Sequence, residues 1–316
     1  MGDWYETPYN RILDVTAAIH FPIKLFAIYI VAFKTTPQFR HHSYFVLNVL
    51  VWNFLGNLLL SFMHLYPVYP STCIRLDGPL SYLIQSETSG HFVFALMFVC
   101  VINVSLALVI TFPYRYFVLV RPQATKVCTV RILKICVVLH ILATGLFFAT
   151  YFSWPETQEN LDFSKLVCFH SHGWQKMLPV TSFYVYLALL VLITLIFTIV
   201  LVVKLYFSRL SNNIKTLKIQ RKLLWRLIVQ AGIIIGLGGT PLLIAVITVD
   251  YPNMPYAKPI CLACIVVVAN HGTVYSLALI SMVKSYRTVL LELFVIFRKS
   301  KITFVKSAGA VNKNPI

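Results

Sequence analysis

Seven separate stretches of this chain stay apolar for the length that a helix needs to cross a lipid bilayer. A helix rises about 1.5 Å per residue, so about 20 predominantly apolar residues cover a hydrocarbon layer about 30 Å thick. The stretches are 12–33, 43–66, 90–111, 132–154, 179–203, 224–249 and 259–283. They are too long, and too evenly apolar, to be the short alternating strands of an outer-membrane barrel. The expected fold is an all-α membrane protein, a bundle of seven transmembrane helices. Composition agrees, because 59% of the residues are hydrophobic and only 12% charged, where a soluble domain carries about a quarter charged.

Basic residues are retained on the cytoplasmic side of a membrane. With the N-terminus outside, the inner segments hold 20 Lys and Arg and the outer ones 5, namely Arg11, Arg75, Lys165, Lys176 and Lys258. Acidic residues fall the other way, with eight outside and only Glu292 inside. The expected topology therefore has the N-terminus outside. The net charge of +17 then reflects inner loops and not a nucleic-acid surface, since a footprint for nucleic acid gathers its cations on one soluble face. Asp3 and Glu6 precede the first apolar run, and Arg11 stands late. That is the wrong charge order for a cleaved signal peptide, so the first run is expected to be kept as a span.

One membrane domain, 1–283, is expected, followed by a cytoplasmic tail, 284–316, that opens with an interfacial helix over 284–299. In it Val289, Leu290, Leu293, Phe294 and Phe297 recur at helical spacing, which suits a helix lying along the inner surface. No internal repeat is visible, which disfavours a secondary transporter.

Polar residues inside the spans narrow the reading further. Lys24 falls near the middle of the first span, where an ionisable group is costly and marks function or an internal polar pocket. Asp14 lies ten residues earlier, roughly 15 Å along the axis, so Asn57, Asn270 and His271 are the better candidate partners. Arg115 stands where the third span meets the inner surface, as a snorkelling anchor or as part of a docking face. The loop from Lys204 to Arg226 adds seven basic residues and no acidic one, a positive surface for a cytoplasmic partner or anionic lipid. Gly232 and Gly236 have the GxxxG spacing of close helix packing, while Pro22 and Pro241 predict kinks.

Cys73 and Cys168 are the only cysteines in the outer segments. A disulfide between them is one reading and two free thiols the other. No zinc spacing, His-Glu-x-x-His helix, Gly-x-Ser-x-Gly elbow or pair of membrane carboxylates is present, so no catalytic residue, metal or cofactor is expected.

Several motifs resemble one receptor family closely. Pro22 to Tyr29 followed by Phe33-Lys34-Thr35-Thr36-Pro37, Leu47-Asn48, Trp52, Asn57-Leu58, Gln220-Arg221-Lys222 with Leu227 and Gln230, His271-Gly272 and Tyr286-Arg287 are similar to nematode serpentine chemoreceptors of the G-protein-coupled type, most of all class H. The chain departs from that pattern at Lys24, where histidine is common, at Asn57, where aspartate is common, and at Ser285, where proline is usual. Tyr114 replaces the acid that precedes the arginine in large receptor families, and Gly90 stands where rhodopsin-like receptors carry a cysteine.

The resemblance implies a receptor in the plasma membrane, in a sensory cilium, that binds a small environmental or pheromone-like chemical and activates a heterotrimeric G protein. It makes Arg115, Tyr116, Arg221 and Lys222 the expected G-protein face. Lys24, Asn57, Asn270, His271 and Tyr286 become the expected intramembrane activation residues. His91, Phe94, Phe183, Tyr184 and Tyr186 are the expected ligand contacts in the outer half. The rivals are a seven-span ligand-gated channel, which has its N-terminus inside, and a small transporter or lipid-handling protein, for which paired membrane charges or repeated halves would speak.

Overall fold

The computed structural model describes residues 3–37, 40–84, 86–120, 125–155, 165–207 and 214–292. The elements run α1 (Glu6–Phe33), α2 (Arg40–Met63), β1 (Leu65–Val68), β2 (Cys73–Leu76), α3 (Glu87–Val120), α4 (Thr125–Tyr151), β3 (Leu166–Cys168), α5 (Trp174–Phe207), α6 (Ile214–Ile233), α7 (Thr240–Asp250) and α8 (Ala257–Met282). A π-helical stretch, Ile234–Gly239, joins α6 to α7 so that the two form one span. Among the described residues seven helices are long and apolar enough to cross a membrane. The protein is a seven-span membrane bundle.

Most helices outrun their apolar runs. α1 begins at Glu6 and not at residue 12, α3 extends to Val120, and α5 starts at Trp174. Helical hydrogen bonding continues into the polar flanks, which periodicity in hydropathy does not register. Two helices instead stop three residues short of their apolar runs, α4 at Tyr151 and α2 at Met63. His64 takes a positive φ of 44°, and Pro67 disfavours helix at the residue before it, so Leu65–Val68 enters a strand instead.

That strand opens a three-stranded antiparallel sheet of order β1-β2-β3. Leu65 pairs with Leu76, and Cys73 with Cys168. The sheet covers the end of the bundle from which α1 starts, and a disulfide between Cys73 and Cys168 holds β2 to β3. Tyr9 of α1 donates its hydroxyl to Leu65 O at 2.7 Å, fixing the sheet to the first helix.

α3 runs through the middle of the bundle and is the most buried of the spans, against α2, α4 and α5. One buried apolar cluster lies under the sheet, around Leu13, Met63, Leu76, Ala95, Tyr151 and Phe169. A second fills the other half, around Ala27, Leu50, Ala107, Phe112, Tyr275 and Ile280. α4 and α5 present rows of exposed Leu, Ile and Val outward, as helices bathed in lipid do.

Gly232 and Gly236 correct the packing expected of them. Both face outward, and a Cβ on either would meet nothing within 4 Å. The break in the sixth span is likewise a π-helical stretch just ahead of Pro241. Proline has no N–H to give the turn before it, and the Thr240 hydroxyl donates to Ile235 O at 3.1 Å there. After the seventh span, residues 284–292 are helical. The remainder of the expected tail helix, 293–299, lies outside the described residues.

Candidate functional site

A cavity of about 660 Å³ lies inside the bundle, within the 300–1,000 Å³ range of small-molecule sites. α2 contributes Trp52, Asn53, Gly56 and Asn57, α3 contributes Met97, Cys100, Val104 and Ser105, and α5 contributes Tyr184, Leu187, Val191 and Thr194. The π-helical stretch adds Ile234, Ile235, Gly238 and Gly239, and α8 adds Ile265, Val268 and His271. π-helical turns cluster at functional sites because they turn side chains and carbonyls away from the regular helical pattern. A smaller cavity of about 80 Å³ continues toward the sheet, sharing Leu65, Met97, Leu242, Ala245 and Ile265 with the first. At its far edge Lys176 of α5 pairs with Asp250 of α7 at 2.6 Å.

One wall of the large cavity is a buried polar chain. Lys24 is 2% exposed, and among the described residues no carboxylate pairs with it. Its ammonium donates to Asn53 Oδ1 at 3.0 Å and leans on Asn53 O at 3.4 Å. With that oxygen accepting from Lys24, Asn53 uses its amide Nδ2 to donate to His271 Nε2 at 2.9 Å. An imidazole nitrogen that accepts carries no proton, so His271 is the neutral tautomer with its proton on Nδ1, which donates to Val268 O. The chain thus has one direction, from ammonium to amide to imidazole to backbone. Beside it His20 Nδ1 meets Thr273 Oγ1, joining α1 to α8 a second time.

Two glycines make room for this chain. A Cβ on Gly272 would overlap Asn53 Oδ1 and stand 2.5 Å from Lys24 Nζ. A Cβ on Gly238 would lie 3.1 Å from the His271 ring. The small residues therefore let α8 close on α1 and α2 on one side and on the π-helical stretch on the other.

The residues singled out in the sequence separate into those at the cavity and those elsewhere. Asn57 and His271 line the large cavity together with Tyr184, and Phe94 lines the smaller one. Lys24 reaches Asn53, and His271 only through Asn53. Asn57 donates to Ala269 O at 2.7 Å, and Asn270 turns back onto Val266 O of its own helix at 2.8 Å. His91 lies under the sheet, bonded to the Tyr151 hydroxyl at 3.2 Å, and Phe183 packs edge-on against Phe98. Tyr186 donates to Ile102 O at 2.8 Å. None of these last three lines either cavity.

Asn53 and Gly56 went unmarked in the sequence, and Trp52 was marked only through the resemblance, although Asn53, Gly56, Asn57 and Leu60 repeat at helical spacing. That face of small and polar residues in an apolar helix was the available signal.

The end opposite the sheet carries Arg115 and Tyr116 on α3 and Arg221 and Lys222 on α6, the last two exposed. Arg115 Nε is buried and has no hydrogen-bond partner among the described residues. Its neighbour Tyr114 is buried, stacked on Phe45 at 4.3 Å and on His42 at 6.2 Å, so the usual acid is replaced by an aromatic wedge between α3 and α2. Tyr286 shares a hydrogen bond with Thr35 at 2.9 Å, tying the chain after α8 to the end of α1.

At the sheet end the charges are paired. Arg75 bridges Asp77 and Glu6, the latter at 2.8 Å, and the Asp77 carboxylate pushes its guanidinium up. Burial would raise the Asp3 carboxyl, but hydrogen bonds from Lys258 and Tyr66 outweigh it and hold Asp3 below the usual carboxylate range. Burial pushes the His64 imidazole down, against the opposing pull of Asp14 and Asp77. Among the described residues no group of His, Cys, Asp and Glu is placed to hold a metal ion.

Residues 6–296 match the family described as serpentine type 7TM GPCR chemoreceptor Srh. No curated protein matches the chain.

Proposed function

The chain belongs to the Srh family of serpentine type seven-transmembrane G-protein-coupled chemoreceptors, and on that premise we propose that it binds a small environmental chemical in its central cavity and activates a heterotrimeric G protein at the opposite end. It is a multi-pass plasma-membrane protein of a receptor family, not of an enzyme family. The observation that carries the proposal is the cavity of about 660 Å³ lined by five of the seven spans, with a one-way hydrogen-bond chain in its wall. A ligand that binds one arrangement of these spans better than another shifts the population toward it. The chain then transmits the shift, because α1, α2 and α8 are joined through Lys24, Asn53 and His271.

The orientation proposed puts the N-terminus, the sheet and the Cys73–Cys168 disulfide outside. It is supported by the surplus of basic residues on the other side and by the oxidising environment that disulfides need. Arg115, Tyr116, Arg221 and Lys222 are then the G-protein face, and a sensory cilium is the proposed site in the cell. His91, Phe183 and Tyr186 are not carried forward as ligand contacts, whereas Tyr184 and Phe94 are.

The test is G-protein activation in cells expressing the chain, screened against volatile and water-soluble chemicals, with Arg115→Ala as the control and surface protein measured in parallel. Activation by a chemical that is lost in Arg115→Ala at equal surface level supports the reading. A ligand-evoked current that persists without any G protein overturns it in favour of a channel.

A further inference from the structure

The cavity's lining specifies the chemistry of what it takes. Among the described residues no Asp, Glu, Lys or Arg lines it, and His271 is kept neutral by the chain described above. A charged ligand would be desolvated there without a counter-charge, which strongly disfavours it. Trp52 and Tyr184 bring donors to the lining, whereas four other polar side chains have already given a hydrogen to the bundle. Asn57 gives one of its two amide hydrogens to Ala269 O, Ser105 its hydroxyl hydrogen to Val101 O, Thr194 to Leu190 O and Thr240 to Ile235 O. Those hydrogens are taken up by the bundle, so at all four positions the cavity presents oxygen lone pairs to an occupant. Among the described residues no donor reaches Asn57 Oδ1, and the atom is not sealed from the cavity.

The way in is lateral. Ala188, Leu192 and Leu195 stand on one line of α5, and each both lines the cavity and is exposed. Across from them Thr240, at the end of the π-helical stretch, does the same. The wall here is therefore one side chain thick, and it lies between two spans, where the surrounding medium is hydrocarbon. The other approach is covered by the sheet, its disulfide and the Lys176–Asp250 pair.

We infer that the ligand is an uncharged, predominantly apolar molecule with one hydrogen-bond donor, such as a hydroxyl, received by Asn57 Oδ1 and admitted from the bilayer between α5 and the π-helical stretch. The inference rests on the reading of this cavity as the receptor's ligand site.

The experiment uses the full chain purified into lipid nanodiscs and a panel of matched quartets, each a hydrocarbon, alcohol, ammonium and carboxylate on the same linear, cyclic or isoprenoid skeleton. Thermal stabilisation reports binding. Alcohols are expected to stabilise the protein while the ammonium and carboxylate members do not, and Asn57→Leu is expected to erase the alcohol's advantage over its hydrocarbon, about ten-fold in affinity. Ala188→Trp and Leu192→Trp, each checked for an unchanged unliganded unfolding temperature, are expected to slow association and dissociation together by about ten-fold with little change in affinity. Preferential binding of charged members, or no binding by any neutral one, overturns the ligand class. Rates that ignore both tryptophans and respond to Lys176→Ala overturn the route. A charged compound that binds and activates the G protein leaves the receptor reading intact, whereas an alcohol that binds without activation defeats the receptor reading and leaves this inference standing.

Discussion

Gly272 of α8 faces Asn53 of α2 across a gap too narrow for a methyl group, and the Lys24 ammonium occupies that gap. Gly272→Ala is therefore expected to separate Lys24 from Asn53 despite the gain of about 1 kcal/mol that Ala normally brings to a helix. Loss of the bond leaves buried donors unsatisfied, at about 1–3 kcal/mol each. Thermal unfolding of the purified variant should show net destabilisation. Gly145→Ala, where a Cβ meets nothing within 4 Å, should be neutral or stabilising, and equal behaviour of the two would contradict this account.

Removing one member of the polar chain should cost more or less according to whether a charge is stranded. Asn53→Leu leaves the Lys24 ammonium buried and unpaired, and is expected to lose about 3–5 kcal/mol or fail to reach the surface. Lys24→Met removes the charge itself and should be milder. The double variant should recover much of the Asn53→Leu loss, a coupling that a double-mutant cycle on unfolding temperature would measure.

Cys73→Ser or Cys168→Ser should loosen the sheet without unfolding the spans. The loss of a native disulfide typically costs about 2–5 kcal/mol in small domains, but here it falls on the sheet end. Faster hydrogen exchange in β1, β2 and β3, with the spans still protected, is the expected pattern. Uniform loss of protection would show that the sheet is needed for the bundle itself.

Acidification should weaken the same end. His64 has its folded pKa pushed below the unfolded value of about 6.5, so the unfolded state binds more protons in that window. Stability contributed by neutral His64 is complete above the unfolded value and is lost as pH falls through the folded one. The unfolding temperature should drop below about pH 6.5 and drop less in His64→Phe.

At the opposite end Lys222→Glu should reduce G-protein activation about ten-fold while leaving ligand affinity unchanged, because Lys222 is exposed and distant from the cavity on its span. A matching loss of ligand affinity would place Lys222 in the bundle's internal coupling instead.

The fold was legible because bilayer thickness imposes one length on every span, and seven runs of that length stand out from their flanks. Chain topology inside the spans was less so. The turn at His64 depends on a single backbone conformation and a proline three residues on, and the sheet depends on pairing between β2 and β3, 95 residues apart at the cysteines. Lys24 was visible as an anomaly, but its partner Asn53 was not, since an amide in an apolar helix carries no mark of which neighbour it meets. Aromatic candidates divided by direction. Tyr184 and Tyr186 are two residues apart on α5, so they point about 200° apart around the helix, and only Tyr184 reaches the cavity.

A π turn holds one residue more than an α turn, so the Ile234–Gly239 stretch stores an extra residue within the sixth span. Drawing that residue into regular helix would turn α6 against α7 by about 100° without lengthening the chain or parting its ends. The span therefore carries a swivel at the depth of the cavity, and its two halves can be aimed independently.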